Sequence, residues 1–327
     1  MGQGKNKISG SIQEKYNRIS EKQLPLTFKV ARPLLIKSNE LSGGLFDKLE
    51  QTGGGQYTIG GLPRMVSDKD FFGGVFALAQ ILSNQSALSS HEKENSGLNS
   101  GLLSSAIKEQ TGERATVGNV YFSLNEFSSL ANGVEEPSTL ERKASETLLQ
   151  TLHRTPLVID YKDKKVEITL ATIVQKVTDK DKRGAVYYNL YLHPLFVDII
   201  SKGFAQYPQD IMKRLRTGIQ LEGGKLTGLP LKLLALLGQQ RADGNKTFTR
   251  TALEILQYLG LEQAYRQQKK RTLKQLEQIL EAVKYTGIIT KYEMKYRQDN
   301  CREVFDRVVF YLNANFLREE VNSSALK

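Results

Sequence analysis

The strongest pattern of apolar and polar positions in this chain lies at Gln268–Tyr285, QKKRTLKQLEQILEAVKY. On a wheel of 100° per residue, Leu273, Leu276, Leu280 and Val283 fall on one side with Ile279 at the margin, while Arg271, Lys274, Gln275 and Gln278 fall on the other. One stripe is built to face a core and the opposite row to face outward. Ahead of it, LPLKLLALLGQQ at Leu229–Gln240 predicts an apolar helix with Pro230 in its first turn. TRTALEILQYLG predicts a short helix that Thr249 caps and Gly260 stops. Behind it, Thr286-Gly287 ends the long helix. Alternation then predicts a strand from Ile288, a polar turn near Gln298–Arg302, and a strand Val304–Leu312 with Val304, Val308, Phe310 and Leu312 on one face. Three helices and a hairpin make a winged helix, and Lys295, Arg297 and Arg302 sit near the tip of its wing.

A second unit with the same order is expected upstream. Ser123 with Glu126, and Ser138 with Glu141, have capping-box spacing ahead of a short and a longer helix, and Gly133 ends the first. On the longer helix Leu140, Ala144 and Leu148 are expected to face inward, and Thr139, Arg142, Lys143, Glu146 and Gln150 outward. TPLVIDY at Thr155–Tyr161 then starts a hairpin turning at Lys162–Lys165, and another strand follows near Val186–Leu192. TPLVIDY aligns with TGIITKY at Thr286–Tyr292, which suggests a duplication. The expected fold class is therefore α+β, two tandem winged-helix domains, each a three-helix unit with a β-hairpin wing. The expected boundaries are 1–55 for a flexible arm and Gly-rich loops, 56–205 for the first domain and 206–327 for the second. Leu24–Ile36 is expected as an arm docked on a sheet or on a partner, Asp70–Leu82 as a core helix, and Ser83–Gly101 as an exposed loop. Tyr207–Gly218 is expected as a linking helix whose Lys213, Arg214 and Arg216 touch phosphates or water.

Charge sharpens this picture. The net charge is +11, and residues 208–327 hold 21 Lys/Arg against 13 Asp/Glu. Between Ala264 and Leu276 there are five basic residues and no acid. Cations in a first helical turn oppose the macrodipole, so Lys269, Lys270 and Arg271 invite an external anion. Nucleic acid fits that excess better than a membrane, because no apolar run approaches the ~20 residues a span needs. The amino terminus lacks the apolar core of a signal peptide, so a cytoplasmic protein is expected.

Other chemistries are poorly provided for. Cys301 is the single cysteine, and His91, His153 and His193 form no metal-binding spacing, so neither a disulfide nor a metal site is expected. Gly218–Lys225, GIQLEGGK, misses the phosphate-loop pattern at Gly224, where lysine is required, and reads as a loop. No cofactor is expected.

With these elements in place the chain resembles plasmid replication initiators of the theta type. The resemblance rests on LPLKLLALLGQQ, TRTALEILQYLG, the Arg271–Tyr285 helix running into TGIITKY, and SLNEFSSLANG–STLERKASETLLQTL upstream. It covers roughly Gln56 to Leu317, in the order of elements rather than in an invariant signature. It implies tandem winged helices that bind repeated double-stranded sites in an origin, with a host replicative helicase or chromosomal initiator as partner. It also implies a homodimer, for which the first domain and the Leu24–Ile36 arm are the expected surfaces.

The leading expectation is a non-catalytic, sequence-specific duplex binder. Arg271, Lys274, Gln275 and Gln278 are the expected base readers. Arg266, Lys269, Lys270, Lys295 and Arg297 are expected on phosphates, and Thr139, Arg142, Lys143 and Glu146 serve the first domain. A winged-helix transcriptional regulator is the alternative with the same DNA chemistry. An enzyme of another class, a tyrosine-dependent nicking or recombining protein, would use one of Tyr285, Tyr292 or Tyr311. A protein-interaction scaffold would leave the basic excess without a use.

Overall fold

The computed structural model describes residues 27–31, 57–60, 66–86, 118–155, 157–161, 164–179, 184–192, 204–299 and 302–317. His91, His193, Cys301, the glycine pairs before residue 56 and most of the 83–101 segment lie outside the described residues. In chain order the elements are β1 (Thr27–Ala31), β2 (Tyr57–Gly60), α1 (Asp68–Ser86), β3 (Gly118–Ser123), α2 (Leu124–Asn132), α3 (Thr139–Arg154), β4 (Leu157–Tyr161) and β5 (Lys164–Ile168). There follow β6 (Ala171–Asp179), β7 (Ala185–Leu192), β8 (Phe204–Pro208), α4 (Ile211–Leu221), α5 (Gly228–Ala242), β9 (Thr247–Thr251), α6 (Ala252–Tyr258), α7 (Glu262–Gln267), α8 (Lys269–Tyr285), β10 (Ile289–Asp299) and β11 (Arg302–Leu312). The protein is mixed α+β, with three small three-stranded antiparallel sheets and the pair β1–β8 among the described residues. No helix in them is long and apolar enough to cross a membrane.

One order of elements occurs twice. In the second half, α5, β9, α6, α8, β10 and β11 follow one another, and β11 lies between β10 and β9 in the sheet. In the first half, α1, β3, α2, α3, β6 and β7 do so, and β7 lies between β6 and β3. The hairpin expected at TPLVIDY forms as β4–β5, but it is an insertion: β4 pairs with β2 in a separate sheet. The counterpart of β10 is therefore β6, and the TPLVIDY–TGIITKY alignment joins strands that are not equivalent. Seven residues specify strand propensity without specifying the partner strand.

Local sequence accounts for most element ends. Ser138 and Glu141 form the reciprocal box that starts α3. Ser123 accepts from the Glu126 N–H at 3.0 Å at the start of α2, and Gly133 ends that helix at φ 64°. The cap of α6 is Thr251, boxed with Glu254, rather than Thr249, which lies in β9. Helix α1 begins earlier and ends later than expected, and its Asn84 is buried, accepting from Gln209 Nε2 at 2.8 Å. Two glycines let its neighbours approach: a Cβ on Gly73 would stand 2.5 Å from the Ala131 carbonyl oxygen, and one on Gly74 2.1 Å from Leu148 Cδ2.

Two faces differ from the expected ones, and the arm takes one of its two expected places. Helix α3 buries Ser145, Leu148, Leu149 and Leu152, while Leu140 is 79% exposed. The stripe at 145, 148, 149 and 152 has the same helical spacing as the expected one and carries more apolar surface, so it wins the core. On β11 a register shift opposite Lys295/Tyr296 leaves Asp306 unpaired, so Phe305 takes the inward place expected of Val304. Strand β1, from the expected arm, docks on β8 as a sheet partner and buries Phe28 and Val30, with the Phe28 ring beside those of Phe76 and Tyr207. Of the expected arm, residues 24–26 and 32–36 lie outside the described residues.

The halves share one core running from Phe28 to Phe316. Helix α5 is buried from Pro230 to Gln240 because it is apolar on every side. Helix α4 bridges the halves. Its cations, expected on phosphates or in water, are paired within the chain: Lys213 with Glu135 at 2.8 Å, Arg214 with Asp210 at 2.8 Å and Arg216 with Glu141 at 3.0 Å. The expected loop at 218–225 begins as the last turn of α4.

Candidate nucleic-acid interface

Helix α8 is the structural centre of the candidate interface, and its two halves differ. Leu276, Ile279, Leu280 and Val283 are buried as the wheel predicts, with Thr272 and Ala282 added to the buried side and Leu273 packed at its edge. The C-terminal half lies close against α4, since a Cβ on Gly218 would stand 2.8 Å from the Ala282 carbonyl oxygen and 2.8 Å from Tyr285 Cβ. The first two turns bury Thr272 and Leu276 and turn their basic side to solvent.

On those turns Lys269, Lys270, Arg271, Lys274 and Gln275 are exposed. No carboxylate pairs with any of the four cations among the described residues. Lys269 Nζ stands 5.7 Å over the Tyr265 ring, and Arg271 Nη1 donates to Gln268 Oε1 at 3.3 Å. The helix has no acid in its first turn and no side-chain cap at Gln268. Its positive end is thus left uncompensated from within.

The other expected contacts are placed unevenly. Gln278 is half-buried, and its Nε2 donates to the Glu222 carbonyl at 3.1 Å, so it braces α8 against the end of α4 instead of standing free as a base reader. Arg266 lies on α7, a short helix between α6 and α8, and is paired with Glu262. On the wing, Lys295 reaches Glu293 at 3.6 Å, and Lys291 is paired with the same carboxylate. The Lys291 hydrogen bond holds the Glu293 carboxyl below its usual range. Arg297 is exposed and has no ion-pair partner among the described residues.

In the first half, Thr139, Arg142 and Lys143 are exposed on α3, with Arg142 Nη2 donating to Thr139 Oγ1 at 3.3 Å. Glu146 is turned inward, contrary to expectation. It is paired with Lys176 of β6 and accepts from the Tyr188 hydroxyl at 3.1 Å, and so ties α3 to its sheet. The Lys176 hydrogen bond, aided by that of Tyr188, holds the Glu146 carboxyl below its usual range against the effect of burial. Burial first, then Glu146, pushes the Tyr188 phenol up. At the start of the same helix burial pushes the Glu141 carboxyl up, but the hydrogen bonds from Ser138 and Arg216 outweigh it and leave the group lowered. Val66, Leu140, Lys143, Ala144 and Thr147 line an open groove beside the start of α1.

Two further features escaped the sequence pattern. Tyr265, Tyr296 and Phe305 gather where α7 meets the wing, with the last two rings 5.8 Å apart and Tyr296 40% exposed. Glu277 stands exposed on α8 at helical spacing from Lys270 and Lys274, an acid on the outward side of a basic helix. His153 accepts from the Ile173 N–H through Nδ1 at 3.2 Å, which ties α3 to β6. Among the described residues no group of three or more His, Cys, Asp or Glu is placed to hold a metal ion. No protein-family model and no curated protein matches the chain.

Proposed function

We propose that this chain is a sequence-specific double-stranded DNA-binding protein built of two tandem winged helices, and that it acts as a plasmid replication initiator. The observation that carries the proposal is the free basic half of α8. Lys269, Lys270, Arg271 and Lys274 lie within two turns, unmatched by carboxylates, on a helix followed by a two-stranded projection. The cations of α4, by contrast, are all paired. Unpaired cations at a helix start gain most from a phosphate backbone, and Arg, Lys and Gln supply the donors that base edges accept. The repeated order of elements, with the last strand central in each sheet, supports the tandem arrangement.

Arg271, Lys274 and Gln275 read bases, and Lys269, Lys270 and Arg297 hold phosphates, joined by Arg266 and Lys295, which exchange the exposed pairing with Glu262 and Glu293 for the DNA backbone. Thr139, Arg142 and Lys143 are the DNA contacts of the first unit. The protein works in the cytoplasm without cofactor or catalysis, binding repeats in an origin. Its partners are the host helicase or chromosomal initiator and a second copy of itself. A tyrosine nucleophile gains no support at Tyr292, whose hydroxyl donates to Glu281 at 2.9 Å and whose proton is held more tightly, by burial first and then by that bond.

Selection from a randomised duplex pool, then titration of the selected and a scrambled duplex at several salt concentrations, tests the DNA reading. One defined motif is expected, with a log–log salt slope of about −0.9 per phosphate held. Arg271→Ala should cost about 1–3 kcal/mol at one position of the motif, whereas Lys270→Ala should weaken all duplexes alike and reduce the slope by about one contact. Equal losses on both duplexes for both variants would overturn the division of roles. Initiation is separable from transcriptional regulation by asking whether the gene and its flanking repeats maintain a plasmid that has no other origin. Failure to do so in every host tried, with specific binding intact, would leave a regulator.

A further inference from the structure

One side chain on the outward side of α8 has the wrong sign for a surface that holds phosphates. Glu277 follows Lys274 by three positions and Lys270 by seven, spacings that put the three on one face. It is exposed, and among the described residues its carboxylate makes no hydrogen bond and no ion pair. Two other acids of this region are engaged within the chain. Glu281 is paired with Lys284 at 3.0 Å and accepts from Tyr292, and Glu262 is taken by Arg266. Glu277 also lies on the wing side of the helix. Burial is the main cause that raises the phenols of Tyr292 and Tyr296 on β10, and the charge of Glu277 adds to both.

A free carboxylate beside a polyanion weakens binding unless it accepts a hydrogen bond there. A major groove offers two such donors, the N4 amino group of cytosine and the N6 amino group of adenine. The adenine donor stands beside N7, an acceptor that repels a carboxylate; the cytosine donor stands beside a C–H. Thymine O4 and guanine O6 and N7 are acceptors and repel it outright.

Resting on the DNA reading above, we infer that Glu277 is a specificity-determining residue that accepts a hydrogen bond from N4 of a cytosine in the bound site. It works by penalty as much as by attraction. Duplexes lacking that cytosine meet an uncompensated negative charge, so selectivity is gained at the expense of general affinity.

The test uses the full chain, its selected duplex, a scrambled duplex, and a set in which each C·G pair of the site is changed in turn to T·A. Glu277→Ala should bind the scrambled duplex several-fold more tightly than the wild type. Its ratio of specific to scrambled binding should fall roughly ten- to a hundredfold. At one C·G pair the change to T·A should weaken the wild type by about tenfold or more and leave Glu277→Ala unaffected. Glu277→Gln preserves size and should shift the preference at that pair toward adenine, whose N6 and N7 an amide can engage together. If every C·G change affects wild type and Glu277→Ala equally, the inference is wrong and the DNA reading stands. If the wild type selects no motif, both fall.

Discussion

A lysine ammonium with 2% of its side chain exposed must be answered from within the protein, and Lys232 is answered across the two halves. Its Nζ stands 3.2 Å from Asp68 Oδ2 at the start of α1 and donates to the Tyr258 carbonyl at 3.2 Å, while the Tyr258 hydroxyl donates back to the Lys232 carbonyl at 2.9 Å. Asp68 keeps a quarter of its side chain in water. The two partners are therefore unequal. Removing the carboxylate leaves a buried positive charge short of its counter-ion, a loss of about 3 kcal/mol. Replacing the lysine by an apolar side chain of similar length removes that charge and lets Asp68 turn to solvent. In urea denaturation of the full chain, Asp68→Ala should accordingly lower stability more than Lys232→Met. The reverse order would mean that the ammonium is held mainly by the Tyr258 carbonyl. The sequence shows this lysine only as a polar interruption of an apolar helix; its partner lies far away in the chain, where periodicity carries no information.

At the scale of elements, legibility follows how local the cause is. The capping boxes at Ser138 and Thr251, the αL glycine Gly133 and the buried stripe of α8 depend on residues within one or two turns, and the pattern shows all of them except the choice of Thr251 over Thr249. Which of two stripes α3 buries, which strand β4 joins, and whether Glu146 and Gln278 stay free depend on neighbours from other elements, and there the pattern misleads. The α4–α8 contact is of this second kind. Gly218 looks like part of a glycine-rich loop, yet it is where the backbone of one helix approaches that of the other. Alanine there would gain about 1 kcal/mol of helix propensity. Its Cβ would also meet the Ala282 carbonyl oxygen at 2.8 Å, and backbone atoms do not yield cheaply. Overpacking costs about 1–3 kcal/mol, so the net effect is a loss. Because α4 and the Gln278–Glu222 bond set the tilt of α8, Gly218→Ala should lower both the unfolding midpoint and the affinity for the selected duplex. An unchanged midpoint would show that the helices can separate at no cost.

For the whole molecule the question is whether the halves are two bodies joined by a linker or one body with two similar parts. The repeated order of elements favours the first view, and the contacts favour the second. Helix α5, the first helix of the second unit, is apolar on every side, and part of its cover is α1 of the first unit: a Cβ on Gly228 would stand 2.3 Å from Asp68 Cβ. A Cβ on Gly238 would likewise stand 1.8 Å from the hydroxyl of Tyr207, whose ring packs on Phe28 and Phe76. Arg216 joins α4 to the Asn132 carbonyl and Glu141. A fragment of residues 206–327 would therefore expose the leucines of α5 and one side of α4 to water, at about 25 cal/mol for each Å² uncovered. The full chain should unfold in one transition by calorimetry, with calorimetric and van't Hoff enthalpies equal. The 206–327 fragment should melt lower than the full chain or associate through its uncovered face. Two resolved transitions, with the fragment reproducing the second of them, would establish independent domains. On the proposed DNA reading, independent domains would leave the relative placement of α3 and α8 to be set by the DNA, whereas a single transition would fix it in the protein and make the spacing within a bound site a property of the fold.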